Sequence, residues 1–167
     1  MDDDLGSRLE QQIPALRRYA FALARNSAEA DDLVQDCLER ALSRWSLRRA
    51  DGDLRAWLFA ILRNQFVNAY HRNKRRGIQV AEDVNAASPA GQDRALELGD
   101  ALAALDLLPE DQKSLLLLVG VEDFSYAEAA QVLGIPEGTV MSRLSRARKR
   151  LREILESGRV PLLRRVK

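Results

Sequence analysis

The stretch from Ser125 to Leu151, SYAEAAQVLGIPEGTVMSRLSRARKRL, admits little besides two short helices joined by a tight turn. Ser125 is a good N-cap, and Glu128 supplies the second half of a capping box. Ala129, Ala130, Val132 and Leu133 then make one apolar face. Gly134 stands where the chain needs a residue free to adopt positive φ. Pro136 presets φ for a new helical turn, and Glu137 suits a helix N-terminus. In the second helix Val140, Leu144, Ala147 and Leu151 recur as a buried stripe. Met141, Ser142, Ser145, Arg146 and Lys149 occupy the other face. Small polar and basic residues outward on a second helix are what a DNA-reading helix-turn-helix requires. A plain helical hairpin with a solvated basic face is the alternative. Capping, turn chemistry and charge all agree with the motif instead.

A chain of 167 residues suffices for one ordinary domain or two small ones. It is 46% hydrophobic and 31% charged, which supports a packed core rather than disorder. Aromatics make up only 5% while Leu, Ala and Arg abound, so helices are favoured over sheets. The net charge of +1 hides a segregation of signs: acidic from Glu29 to Glu39, basic at Arg72 to Arg76 and again from Arg143 onward. Such segregation suggests separate surfaces for a basic partner and for nucleic acid. Cys37 is the only cysteine, so no internal disulfide or cysteine-rich metal site is available, and its place on an apolar stripe suits a core residue. The acidic start MDDDLGSRLEQQ lacks the features of a signal peptide, and no apolar run approaches a membrane span. A cytoplasmic location without direct membrane insertion is expected.

In chain order, a first helix is expected from Leu9 to Arg25, with Pro14 near its beginning or marking a break. Its core face is Ile13, Leu16, Tyr19, Ala20, Leu23 and Ala24. Asn26 or Ser27 caps the next helix, Ala28 to Trp45, whose stripe is Leu33, Val34, Cys37, Leu38, Ala41 and Leu42. Asp32, Gln35, Asp36 and Glu39 share the opposite face as an acidic ridge. Carboxylates at this spacing suit a divalent metal only if a second helix brings matching ligands, and none does. A solvated face or a docking ridge for a basic partner remains, and no metal or cofactor is expected.

The loop LRRADGD turns at Asp51-Gly52, and Asp53 caps a helix from Leu54 to Lys74. Trp57, Leu58, Ile61, Leu62, Phe66 and Tyr70 are its expected core. Its ending HRNKRR, after a run mixing rings with Arg and Asn, suits single-stranded nucleic acid. Trp57 and Phe66 serve equally well as core residues. His71 has no neighbouring ligand or nucleophile to make it catalytic. Residues from Gly77 to Asp93, rich in Ala, Ser, Pro and Gly, read as a flexible linker. Two further helices follow, Leu96 to Leu108 with Leu98, Leu102 and Leu105 inward, and Pro109 to Val121 with Leu115, Leu116 and Leu118 inward. A turn at Glu122-Asp123 leads into the helix-turn-helix. The expected fold is all-α, two small helical domains joined by a flexible linker, the C-terminal one a helix-turn-helix. The boundaries are 1–76, 77–94 and 95–167.

With these residues in place, the chain resembles bacterial sigma factors of the sigma-70 family, in the small extracytoplasmic-function (ECF) group. The resemblance covers nearly the whole length. ADDLVQDCLERAL resembles the helix that docks on the clamp-helix coiled coil of the RNA polymerase largest subunit. DLRAWLFAILRNQFVNAYHRNKRR resembles the segment that captures and melts the −10 element, and the run from Leu108 to Glu153 the −35-binding domain. The resemblance implies core-polymerase contacts at Asp32, Gln35, Asp36 and Glu39. It implies a flipped non-template base at Asn64, with Asn68, Arg72, Lys74, Arg75 and Arg76 also on the −10 DNA. Thr139, Met141, Ser142, Ser145, Arg146 and Lys149 match the −35 reading face. Met141 stands where relatives often carry Arg or Lys, and LRRADGD lacks an aromatic residue found in some of them. The implied partners are core polymerase, promoter DNA as duplex and as melted non-template strand, and an anti-sigma factor that can hold the chain at the inner membrane. The rival readings are a dimeric helix-turn-helix repressor, which leaves the acidic ridge unexplained, and a metal enzyme using Asp32, Asp36 and Glu39, which lacks further ligands.

Overall fold

The computed structural model describes residues 2–77 and 92–158. The N-terminal half consists of α1 (Asp2–Ala24), α2 (Ser27–Ser43), a 3₁₀ turn at Trp45–Leu47 and α3 (Leu54–Arg76). The C-terminal half consists of α4 (Gln92–Asp106), α5 (Glu110–Gly120), α6 (Tyr126–Leu133) and α7 (Glu137–Glu156). The fold is all-α, as expected, with no strand among the described residues. Most of the expected linker, residues 78–91, and the basic tail from residue 159 lie outside the described residues.

Helix α1 starts at Asp2, earlier than Leu9, and runs through Pro14 without ending there. An interior proline removes one helix hydrogen bond. Here Leu5 and Leu9 carry the apolar stripe past it into the core, while Pro14 itself is exposed. The helix closes at Arg25, whose φ of 58° is the left-handed value usually left to glycine. Asn26 then caps α2 by accepting from the Glu29 amide at 2.9 Å. Helix α2 ends at Ser43 rather than Trp45. Its buried stripe is Ala30, Leu33, Val34, Cys37 and Ala41, and Leu42, expected inside, is 54% exposed. Leu42 lies one residue past Ala41, about 100° further around the helix and off the core face.

Asp53 caps α3 through the Arg55 amide, and Gly77 closes it with φ 70°. Leu58, Leu62 and Phe66 are buried as expected, and Phe59 joins them. Trp57 and Ile61 are only half-buried, and Tyr70 is 43% exposed. The N-terminal half packs on the side of α3 that carries Leu58 and Phe59, which leaves the Trp57 side at the edge. In α4, Leu102 is buried and Leu105 half-buried, but Leu98 is 58% exposed. Helix α4 also begins at Gln92, inside the stretch expected to be linker. In α5, Leu117 is buried where Leu116 was expected, and Leu116 is half-buried; Leu115 and Leu118 are buried as read from the sequence.

The capping box of Ser125 and Glu128 is formed in both directions, at 3.1 and 2.7 Å. Gly134 takes φ 65° and lets α7 depart from α6. Val140, Leu144 and Ala147 seat α7, with Ile154 buried and Leu151 half-buried below them.

A continuous apolar cluster joins the two halves. Tyr19 of α1, Phe59 of α3 and Phe124 of the α5–α6 turn stack in series, with ring centroids 5.0 and 4.9 Å apart. Polar side chains are enclosed along the same seam. Ser114 is fully buried against the Tyr19 hydroxyl at 2.5 Å, and Lys113 reaches Asp106 at 2.5 Å and the Leu23 carbonyl at 3.3 Å. Burial raises the pKa of the Glu110 carboxyl, and the Arg63 guanidinium 3.2 Å away opposes that rise.

Candidate functional site

Three surfaces carry the residues singled out from the sequence. On α2, burying Leu33, Val34 and Cys37 turns the opposite face outward by helix geometry alone. Asp32, Gln35, Asp36 and Glu39 all lie on that face and are exposed. The Gln35 amide donates to Glu39 at 3.5 Å, along the axis of the ridge. The rigid backing is deep: Cys37 is fully buried, its Sγ–H donates to the Leu58 carbonyl at 3.3 Å, and burial pushes the thiol pKa up to about 12. Cys37 is therefore an inert core residue, as its position in the stripe suggested.

The second surface runs along α3. Asn64, Asn68, Arg72, Lys74, Arg75 and Arg76 are all exposed. The structure gathers Asn68, Arg72 and Arg75 into one groove with Asp36 and Arg40 of α2 and with Gln65 and His71 of α3. Asn64, Lys74 and Arg76 are not in that groove. The acidic ridge and the basic end of α3 thus adjoin across a single depression, a juxtaposition that linear sequence does not reveal. Gln65 forms its floor, 8% exposed, with an Oε1 that finds no partner. A glutamine at this point was missed by the sequence reading, and only its position among buried Leu62 and Phe66 could have flagged it.

A further groove lies at the N-terminal end of α3, lined by Arg48, Arg49, Asp53 and Trp57 and by Glu128 and Gln131 of α6. Arg48 stacks 4.5 Å over the Trp45 ring, and Trp45 meets Trp57 edge-to-face at 6.2 Å. The loop LRRADGD has no aromatic residue of its own, yet Trp45 and Trp57 supply rings on either side of it. Trp57 is an edge residue rather than part of the interior.

The third surface is α7. Met141, Ser142, Ser145, Arg146 and Lys149 are exposed, Met141 at 54%, and Thr139 is half-buried at the first turn. The Ser142 hydroxyl and the Arg146 guanidinium donate only to carbonyls of their own helix, at 3.1 and 3.4 Å. These contacts leave the side chains free to exchange a local acceptor for a phosphate or a base edge. Among the described residues no helix is long and apolar enough to cross a membrane.

Comparison with known proteins finds a match in each half of the chain. Residues 9–63 match the family model described as the Sigma2 domain of PhyR, and residues 98–151 match Sigma-70, region 4. The ECF RNA polymerase sigma factor EcfG of Rhodopseudomonas palustris is 42% identical over 158 residues, covering 93% of this chain and 87% of that protein. ECF RNA polymerase sigma factor SigM of Mycobacterium tuberculosis is 34% identical, over 84% of this chain and 71% of its own. The sigma factor RpoE of Bartonella quintana, solved in complex with the anti-sigma factor NepR, superposes with a TM-score of 0.80 at 37% identity. That match covers 92% of this chain and 97% of RpoE.

Proposed function

The chain belongs to the ECF group of RNA polymerase sigma factors, and we propose that its three exposed surfaces divide the work of that family among named residues. A member of this family is a transcription initiation factor: it binds core RNA polymerase, directs it to promoters and forms no bonds itself. On our reading Asp32, Gln35, Asp36 and Glu39 dock on the polymerase. Asn64, Asn68, Arg72, Lys74, Arg75 and Arg76 receive the −10 element. Thr139, Met141, Ser142, Ser145, Arg146 and Lys149 enter the major groove at the −35 element. The corresponding units are residues 1–76 and 95–167, joined by the segment between them. The complex of RpoE with NepR supports an anti-sigma factor as a partner here too, and a cytoplasmic site of action follows from these partners.

The mechanism follows from the surfaces. The ridge is fixed on a helix whose opposite stripe, Ala30, Leu33, Val34, Cys37 and Ala41, is buried, so docking costs little backbone ordering. Guanidinium and ammonium groups at the end of α3 neutralise phosphates and displace counterions. Asn64 and Asn68, one turn apart and exposed, offer amide groups to unstacked bases, so that binding energy is coupled to strand opening. Helix α7 presents small polar residues that permit close approach to the groove floor, with Arg146 and Lys149 toward the backbone.

The observation that carries the reading is the exposure of the four ridge residues on the helix whose opposite stripe is buried. The test is run-off transcription with purified core polymerase from the region upstream of the protein's own gene, with core binding scored in the same samples. The wild type should bind core and give a discrete transcript, and Asp36→Arg should lose both. Tight, symmetric duplex binding by the chain alone, without core binding, would instead establish a repressor.

A further inference from the structure

The groove between α2 and α3, about 420 Å³ in volume, contains residues to which neither polymerase docking nor the exposed basic end of α3 gives a role. Asp36 and Arg40 are one turn apart on α2, and Gln65, Asn68 and Arg72 follow one another at single turns along α3. Helix geometry therefore turns both rows into the same depression. The guanidinium groups of Arg40, Arg72 and Arg75 are set against one carboxylate, Asp36, and none of the three forms an ion pair among the described residues. Clustered cations without counter-charges favour an anion. Leu33 and Ala69 add an apolar part to the lining.

Gln65 is the polar exception on the buried side of α3. It is 8% exposed, and its Oε1 accepts no hydrogen bond. A buried carbonyl oxygen without a donor is costly, and most such groups have one. Leu62 and Phe66 beside it are buried hydrocarbon, so the donor has to come from the groove. The last side-chain torsion of glutamine is soft, and a rotation about it offers the oxygen to an occupant. That occupant must donate a hydrogen bond at the floor, carry negative charge at the rim and lay an apolar surface on Leu33 and Ala69. A nucleotide of unpaired strand does all three, through the amine of its base, its phosphate and its ring. In a duplex the base stays stacked and out of reach. An acidic peptide meets the charge requirement as well, but continuity favours the nucleotide. Asn68, Arg72 and Arg75 belong to the same exposed stretch of α3 as Asn64, Lys74 and Arg76.

We propose that this groove holds one nucleotide of single-stranded DNA, with Gln65 accepting from the exocyclic amine of the base and Arg40 holding the phosphate from the opposite helix. The site then selects an amine-bearing base over thymine or uracil, which present carbonyls at that edge. Gln65 is a specificity-determining residue, and Arg40 adds a phosphate contact from the helix that also carries the acidic ridge. One rigid helix thus touches both polymerase and strand. Its use in promoter opening rests on the sigma-factor reading, whereas the base preference is measured apart from it.

The test uses the full chain bound to core polymerase, with binding scored over core alone. The probes are single-stranded oligodeoxycytidylate and oligodeoxyuridylate of equal length, whose bases differ by an amine against a carbonyl. The wild type should bind the cytidine oligomer roughly three- to tenfold more tightly, the worth of one hydrogen bond. Gln65→Met, which keeps the packing and removes the acceptor, should abolish that preference. Arg40→Ala should weaken both oligomers equally and lower the salt slope by about 0.7, the share of one phosphate on a single strand. Core binding in the same samples shows that each variant is folded. Equal affinity of the wild type for both oligomers, or a preference that survives Gln65→Met, would overturn the role of Gln65. An unchanged salt slope in Arg40→Ala would overturn that of Arg40. A polyglutamate peptide that binds in an Arg40-dependent way, where neither oligomer binds, would assign the groove to acidic protein instead. A wild type that transcribes from its promoter yet binds neither oligomer overturns the nucleotide site alone. Failure in both assays overturns the sigma-factor reading with it.

Discussion

The packing of Phe59 against Phe124 makes a quantitative claim about the molecule in solution. Phe59 is fully buried, Phe124 is 3% exposed, and their rings meet at 4.9 Å and 65°. Phe124→Leu removes three buried carbons, which at about 0.8 kcal/mol each gives a loss of about 2–3 kcal/mol. Phe59→Leu should cost a similar amount by the same reckoning. If the rings touched nothing in common, the double variant would lose the sum. An edge-to-face pair is worth a further 0.5–1.5 kcal/mol, roughly, which each single variant already forfeits in full. The double variant should therefore be less destabilised than the sum by about 1 kcal/mol. Arg55 lies over both rings, at 5.8 and 4.1 Å, so the cycle should be repeated with Arg55→Met, where a smaller coupling should persist. The assay is urea unfolding of the full chain, followed by helical circular dichroism with the slope fixed across variants. Additivity within about 0.3 kcal/mol would refute the contact. A loss below about 0.5 kcal/mol for Phe124→Leu would mean that the ring is exposed and the halves stand apart.

Two other outcomes follow from local structure. Ser125→Ala removes the acceptor for the Glu128 amide and should cost about 1 kcal/mol, seen as a lower thermal midpoint, while Ser125→Asp should retain most of the stability. The pH dependence concerns Cys37. Its folded-state pKa, about 12, is raised above the ordinary 9.0, so the native state binds the extra proton. Its contribution is therefore complete below about pH 9 and is lost progressively as pH rises toward 12. Tyr19, pushed up by burial, acts in the same direction. Alkaline unfolding of Cys37→Ala should be less steep than that of the wild type, and an unchanged profile would contradict the burial of the thiol.

Much of the site was legible because it depends on local rules. A capping box, a glycine at positive φ and a stripe at helical spacing specify α6 and α7 from their own residues, and all three are formed. The acidic ridge was equally readable, since burying Leu33, Val34 and Cys37 forces Asp32, Asp36 and Glu39 outward. The failures cluster where periodicity offers two adjacent faces and packing chooses between them. Phe59 went inward and Trp57 to the edge because the neighbouring helices cover one side of α3. Leu42 and Leu98 are apolar at positions that lie off the packed face, so hydrophobicity alone misassigned them.

The amino-acid sequence by itself determined the helices and the helix-turn-helix, because capping, turn chemistry and side-chain period act over a few residues, and its motifs carried the resemblance to the family. Tertiary structure alone decided which polar groups the interior would accept. Ser114, Lys113 and Glu122 look like solvent-facing residues in the sequence, yet Tyr19, Asp106 and Arg18 enclose them. Their partners lie 95, 7 and 104 positions away, and the two long separations exceed any local pattern. Long-range pairing of buried charge follows from how the two halves meet, which is a property of the folded molecule.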